Sequence, residues 1–488
     1  MAVTPLVYLV VRTADAGLVT VLDVLWERRT LELALRSLGL AAAVSATCVV
    51  IGVPVAWLIA RTDLPGGRAW LAVAALPLAI PSYVSAFAWV ATFPGFSGAP
   101  AAWLVLTVSC LPYVVLPVTA VLAGIDGGMV DAARSLGAGP IGTFWRVVVP
   151  TAAPAAIAGA LLSALYVLSD FGAVSLLRFD TFTRAIYTSY RASFDRTSAA
   201  VFALVLVILA LIFILIERRF RGRQRRWRVG SGAPRRSPRQ QLGVWRVPAV
   251  TALVVLYGVA LAFPAAVLLR LLLIGSPEWN SSEWVSATLN TTTAAGVGAA
   301  LAMVLAVPVG VLAARYRDRW TRWVESSAFV GHALPGVVVG LSLVYLGLAV
   351  VPALYQSLLL LGFAYAVLFL SNAIGSVRSA TERVPPLLED VGRTQGMSAP
   401  AIWWRVTLPL TAPGLAAGAL LVLLTAMKEL PATLMLRPTG MDTLATELWT
   451  RTSVSAYAAA APYAVTLIAL AAIPAFVLTR VLGRQEAR

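Results

Sequence analysis

The chain has 488 residues, of which 59% are hydrophobic and 12% charged, and it carries a net charge of +16. A soluble domain carries roughly 25% charged residues, so the composition excludes an ordinary soluble enzyme and indicates a helical membrane protein, because lipid offers backbone amides no partner. The positive charge does not point to nucleic acid: eleven Arg against one Glu fall within 217–246, beside an apolar run and without an aromatic–basic module, as on a cytoplasmic flank.

In chain order, the first half holds a short apolar start at 3–11, then runs at about 32–60, 68–92, 100–123, 152–170 and 197–216. A bilayer core of ~30 Å needs about 20 apolar residues, which all but the first approach. No cleavable leader is expected, since the start lacks a basic segment and a small-residue cleavage site. An Arg-rich stretch at 221–246, containing GSGAPRRSPRQQ, follows as a flexible linker. The second half holds runs at about 247–274, 286–314, 323–351, 355–377, 410–428 and 457–480. Cys48 and Cys110 stand inside apolar runs without ligand spacing and read as small packing residues.

The halves are copies. DAARSLGAGPIGTFWRVVVPTAAP (131–154) and DVGRTQGMSAPAIWWRVTLPLTAP (390–413) agree at nine of 24 positions, at an offset of 259. Pro54, Arg61 and Pro81 match Pro308, Arg315 and Pro335 at an offset of 254. SDFGAVSLLR (169–178) matches KELPATLMLR (428–437) at 259 again. This predicts an all-α polytopic protein of about 12 crossings. Two tandem six-helix domains, 1–220 and 247–488, would be related by a pseudo-twofold axis, with 221–246 between them. Pro5 and Arg12 align with Pro264 and Arg270, yet only four residues precede Pro5. The first helix is therefore expected to be abbreviated, or the true start to lie upstream. Basic loops place the linker, both repeated segments and the C-terminus in the cytoplasm.

Within each repeated segment, Gly137 or Gly396 is placed to end a short helix in a left-handed conformation. Trp145 with Arg146, and Trp404 with Arg405, lie on a second short amphipathic piece. Pro150 and Pro409 suit the first turn of the next membrane helix. An interfacial anchor would explain the Trp and Arg pairs, but not the recurrence of the whole frame at equal spacing. A docking element for a partner does.

The frame resembles the EAA loop of ATP-binding-cassette importer permeases, E-A-A-x-x-x-G followed at a fixed distance by I-x-L-P. Asp131, Ala132, Ala133 and Gly137 match it with Asp for Glu; Asp390 and Gly396 match it with Val391 and Gly392 in place of the alanines. The resemblance implies that 131–137 and 390–396 are coupling helices, each seated on one of two copies of a cytoplasmic ATPase. It also implies an extracytoplasmic binding protein that delivers substrate, and a bacterial inner-membrane location. The ATPase must be a separate chain, because a phosphate-cradling loop needs a lysine after glycines and the sole lysine is Lys428, in AMKEL. No catalytic residue and no cofactor is expected here; ATP and magnesium belong to the partner.

The segments 169–200 and 427–464 resemble those of fused permeases that import ferric iron. Thiamine, polyamine or phosphonate permeases are the nearer alternatives, and a major-facilitator-type secondary transporter the remoter one. Asp170 and Glu429 each stand 20 residues beyond Pro150 and Pro409, about one bilayer crossing. They are expected at equivalent sites near the outer mouth, as oxygen ligands attractive to a hard cation or as interfacial charges. His332, the sole histidine, is expected at mid-membrane depth, in an interhelical hydrogen bond or on the pathway. Metal ligands are otherwise not identifiable.

Overall fold

A computed structural model of the chain describes residues 4–124, 133, 135–137, 139–221, 239–274, 280–316, 318–332 and 334–486. Among these it is all-helical, with one isolated bridge between Thr62 and Gln240. Nine helices are long and apolar enough to cross a membrane, or up to 11 if two sharply bent pairs each count as one span. Most of the Arg-rich linker, 222–238, lies outside the described residues.

The shortfall from twelve crossings has a local cause. The run 68–92, expected as one span, is broken: the pieces Ala69–Ala79 and Ser82–Thr92 meet at 84°. In the second repeat Arg319–His332 and Gly336–Ala349 are likewise separate helices. Pro81 and Pro335 stand at the breaks, with φ −58° and ψ 142° and 143°. A proline clashes with the preceding turn and holds the residue before it extended, and Ile80 sits at φ −90°, ψ 119°. The helix Thr4–Asp15 bends by 100° into Leu18–Trp26 at Gly17, where φ is +84°.

Two compact units form, one from Met1–Leu25, Ile186–Val207 and Gly275–Arg488, the other from Trp26–Ala185 and Ile208–Ile274. They do not follow the sequence halves 1–220 and 247–488. Within the first unit Thr4–Asp15 packs on Gly336–Ala349, with the Arg12 guanidinium 5.8 Å from the Tyr345 ring centroid. Within the other, Phe263–Ile274 packs on Ser82–Thr92, with Phe263 and Trp89 ring centroids 4.4 Å apart. Each repeat's leading helix has thus been exchanged onto the other repeat's broken helix.

Small residues set the packing of the long helices. Ala299, Ala302, Ala306, Ala366 and Ala373 are buried together where Ser281–Arg315 meets Leu358–Glu382. Without a hydrophobic drive between helices in lipid, close backbone approach and dispersion hold them. A β-carbon added at Gly159 would lie 2.8 Å from Val114 Cα, and one at Gly418 2.7 Å from Ser376 Cβ. These glycines correspond at the 259 offset, so both repeats bring the same helix pair into contact at the same place.

Candidate functional site

The second repeated segment folds as a helix-turn-helix. Pro386–Thr394 starts with proline in its first turn, has Glu389 near its N-terminus and Arg393 in its last turn. Both charges oppose the helix dipole. Met397 N–H donates to the Gly392 carbonyl and Gly396 N–H to that of Arg393, each at 3.0 Å. That is a Schellman ending, with Gly396 at φ +76°. Gly392 stands where the resemblance has alanine; a β-carbon there would meet Ile402 Cγ1 at 3.0 Å, so the substitution lets the returning turn pack closely. Leu387, Leu388, Val391 and Trp404 are exposed apolar side chains on this element, and Arg405 is exposed beside them.

In the first repeat, Asp131 and Ala132 lie outside the described residues, while Ala133 is half-buried in a helical turn. Gly137 has φ +82°, and Trp145 and Arg146 are exposed. Nothing lies within 4 Å of a β-carbon built at either Gly137 or Gly396. The backbone conformation, rather than space, requires glycine there.

Pro150 and Pro409 stand in the first turn of the α-helices Val149–Ser169 and Leu408–Met427, as the sequence suggested. Each follows, one residue on, a π-helical turn that continues into the membrane helix: Phe144–Val148 before Pro150 and Trp403–Thr407 before Pro409. Gly258–Ala262 before Pro264 repeats the arrangement. Val149, Leu408 and Phe263 N–H groups reach back five residues, to Phe144, Trp403 and Gly258. A proline ring clashes with the carbonyl four residues before it, and widening the turn by one residue moves that carbonyl aside. Such bulges recur at functional positions.

Asp170 and Glu429 occupy matching junctions, each between the end of a membrane helix and a short helix. The Asp170 carboxylate accepts from Ala173 N–H at 3.0 Å and Val174 N–H at 3.2 Å, and from Ser82 Oγ–H through its other oxygen. Glu429 Oε1 accepts from Ala432 N–H at 2.9 Å. Each caps a short helix, Gly172–Leu176 or Pro431–Leu436, that packs on the broken helix starting at Ser82 or Gly336. The glutamate is one methylene longer, and Gly336, the counterpart of Ser82, leaves the room for it: a β-carbon there would collide with Glu429 Oε1. Asp170 is buried and Glu429 and Lys428 half-buried. His332 is the last residue of Arg319–His332, and its side chain lies outside the described residues.

Sequence reasoning missed Ser82 and Gly336, because neither is unusual until the fold brings it against a carboxylate. It also missed Glu389 and Thr407. Arg315 was noticed only as the repeat of Arg61, and its guanidinium binds Glu389 Oε1 at 2.5 Å. Among the described residues no group of three or more His, Cys, Asp or Glu could hold a metal ion.

Nine or more apolar spans and a glycine-ended turn recurring in both repeats are the features of a membrane transport subunit. The chain belongs to the family described as binding-protein-dependent transport system inner membrane components, whose model matches residues 50–226 and again 306–487. It is therefore the permease of a binding-protein-dependent ATP-binding-cassette importer, two permease units in one chain. It is 33% identical over 486 residues to the Fe(3+)-transport system permease protein FbpB 2 of Haemophilus influenzae, covering 98% of this chain and 95% of that one. The molybdenum transport system permease protein ModB of Azotobacter vinelandii is 33% identical over 157 residues, 29% of this chain and 70% of that one. The sulfate transport system permease protein CysT of Salmonella typhimurium is 30% identical over 185 residues, 34% of this chain and 67% of its own.

Proposed function

We propose that the chain imports ferric iron across the bacterial inner membrane, receiving it from an extracytoplasmic binding protein and driven by two copies of a cytoplasmic ATPase. The single observation that carries the substrate is the full-length similarity to the Fe(3+) permease. Similarity to the sulfate and molybdenum permeases spans about a third of the chain, as a shared transport unit would.

In this reading 131–137 and Pro386–Thr394 are the coupling helices. Each ends at a positive-φ glycine, with an exposed tryptophan and arginine close by. An exposed apolar strip on a polar-ended helix suits a protein groove, since it leaves the arginines to face acidic groups at the rim. ATP-driven closure of the two ATPases moves both segments. The π-turns at 144–148 and 403–407 pass that movement into the adjoining membrane helices. The Asp170 and Glu429 junctions hold the broken helices on the short helices they cap, so that the parts beyond the breaks move as units. Both Asp170 oxygens and Glu429 Oε1 accept from internal donors, which favours this fastening role over cation capture.

The test is uptake by proteoliposomes containing the chain with its cognate ATPase and binding protein. Radiolabelled ferric citrate should accumulate only with ATP inside and binding protein outside. A tenfold excess of sulfate, molybdate or thiamine, about 1.4 kcal/mol in binding terms, should not compete. ATP-driven uptake of one of those solutes in place of iron would refute the substrate; iron uptake without ATP would refute the mechanism.

A further inference from the structure

Arg315 ends the long membrane helix Ser281–Arg315. Its Nη1 donates to the Val384 carbonyl at 3.0 Å, just before the second coupling helix, and its Nη2 to Glu389 Oε1 at 2.5 Å, inside that helix. Thr407 Oγ1 donates to the same carboxylate oxygen at 3.2 Å. Thr407 closes the π-turn that feeds Leu408–Met427. One carboxylate oxygen therefore ties together the end of one membrane helix, the coupling helix and the base of the next membrane helix.

The pair is secluded. The Arg315 and Glu389 side chains are each 14% exposed, whereas Arg393 and Asp390, on the same coupling helix, are 63% and 57% exposed. Exposed pairs contribute little, but removing one member of a secluded pair leaves the other charge unsatisfied. The corresponding side chains differ in the other repeat. Arg61 is the counterpart of Arg315, but Glu389 and Thr407 correspond to Val130 and Val148. Val130 lies outside the described residues. Beside Arg61 the chain is fastened differently: its carbonyl accepts from Gln240 N–H at 2.8 Å, and Asp63 Oδ1 accepts from Leu242 N–H at 2.8 Å.

We propose that Arg315, Glu389 and Thr407 are positioning residues that clamp the second coupling helix to two membrane helices. The second coupling segment is then a stiff lever that passes the stroke of its ATPase to both membrane helices. The consequence for transport rests on the coupling role proposed above; the clamp itself does not.

The experiment has two arms, both on the full chain in lipid nanodiscs. In the first, without partners, amide hydrogen exchange is followed in 386–394. Glu389→Gln should speed exchange there about tenfold and Thr407→Val about twofold, by raising local opening. The charge swap Arg315→Glu with Glu389→Arg should return it towards wild type. Unchanged exchange in Glu389→Gln overturns the clamp. If that variant does not fold, unchanged exchange in Thr407→Val overturns it. A charge swap no better than the single change also overturns it, because a merely structural role would not be rescued. In the second arm, with ATPase and binding protein added, substrate moved per ATP hydrolysed should fall several-fold in Glu389→Gln and recover in the swap. A wild-type ratio in Glu389→Gln, with exchange accelerated, overturns the lever. A wild-type complex that imports no iron counts against the proposed substrate and leaves the exchange arm to decide the clamp.

Discussion

In the first repeat the segment after Gly137 is held by rings, Phe144 against Trp57 with centroids 5.8 Å apart. In the second repeat the helix before Gly396 is tied by Glu389 to Arg315 and to Thr407 of the segment after it. Both keep the positive-φ glycine, the π-turn and the proline after it. The carboxylate junctions diverge in the same manner. Asp170 works with Ser82, Glu429 with Gly336, and both cap a short helix against the broken one. Duplication has preserved backbone geometry and let the side chains that secure it drift in compensating pairs. What the two copies share is then the part constrained by transport, and what differs is local fastening.

The largest effect should come where the repeats share a shape but meet different atoms. A β-carbon at Gly159 runs into the backbone at Val114, whereas one at Gly418 meets the side chain of Ser376. Gly159→Ala should therefore cost about 3 kcal/mol and Gly418→Ala about half that, since backbone can move least. Thermal unfolding in one detergent should rank them so, and equal losses would break the distinction between the copies.

Next comes a transplant of one junction onto the other. Asp170→Glu alone should cost about 2 kcal/mol by overpacking against Ser82. Adding Ser82→Gly, which reproduces the second repeat's pair, should recover more than half of that, a coupling of about 1 kcal/mol. Additive losses in the double variant would mean that the two junctions are not versions of one device.

The smallest effect on stability should come from the shared turns. Gly137→Leu and Gly396→Leu meet no atom within 4 Å, so each should cost only the left-handed strain, about 1–2 kcal/mol. The double variant should still insert in the membrane yet lose assembly with the ATPase or its coupling to transport. Wild-type uptake by that variant would remove both segments from the docking role.

Much of this was legible in the sequence, and the limits have physical reasons. The membrane class follows from composition, the duplication from two constant offsets, and the positive-φ glycine turn from one repeated frame. The helix breaks at Pro81 and Pro335 were marked by repeated prolines, but hydropathy alone cannot separate one crossing from two bent pieces. The exchange of leading helices left no local trace, because Thr4–Asp15 and Phe263–Ile274 find their partners across a long stretch of chain. Asp170 and Glu429 were correctly paired by spacing. Spacing does not reveal that their oxygens face helix N-termini. Glu389 was hidden beside the motif residue Asp390, and its partner Arg315 lies 74 residues away in sequence.

The central claim, that both repeated segments dock an ATPase, is tested most directly by photo-crosslinking from within the turns. A benzophenone amino acid replaces Trp145 in one variant and Trp404 in another, two side chains that are 64% and 66% exposed. Each is irradiated in native membranes of the source cell. The account predicts that both positions capture the ATPase, and that a probe at Phe194, which is 79% exposed near the end of Phe182–Arg191, does not. Capture of lipid alone from Trp145 and Trp404, or of the ATPase from Phe194, would contradict it.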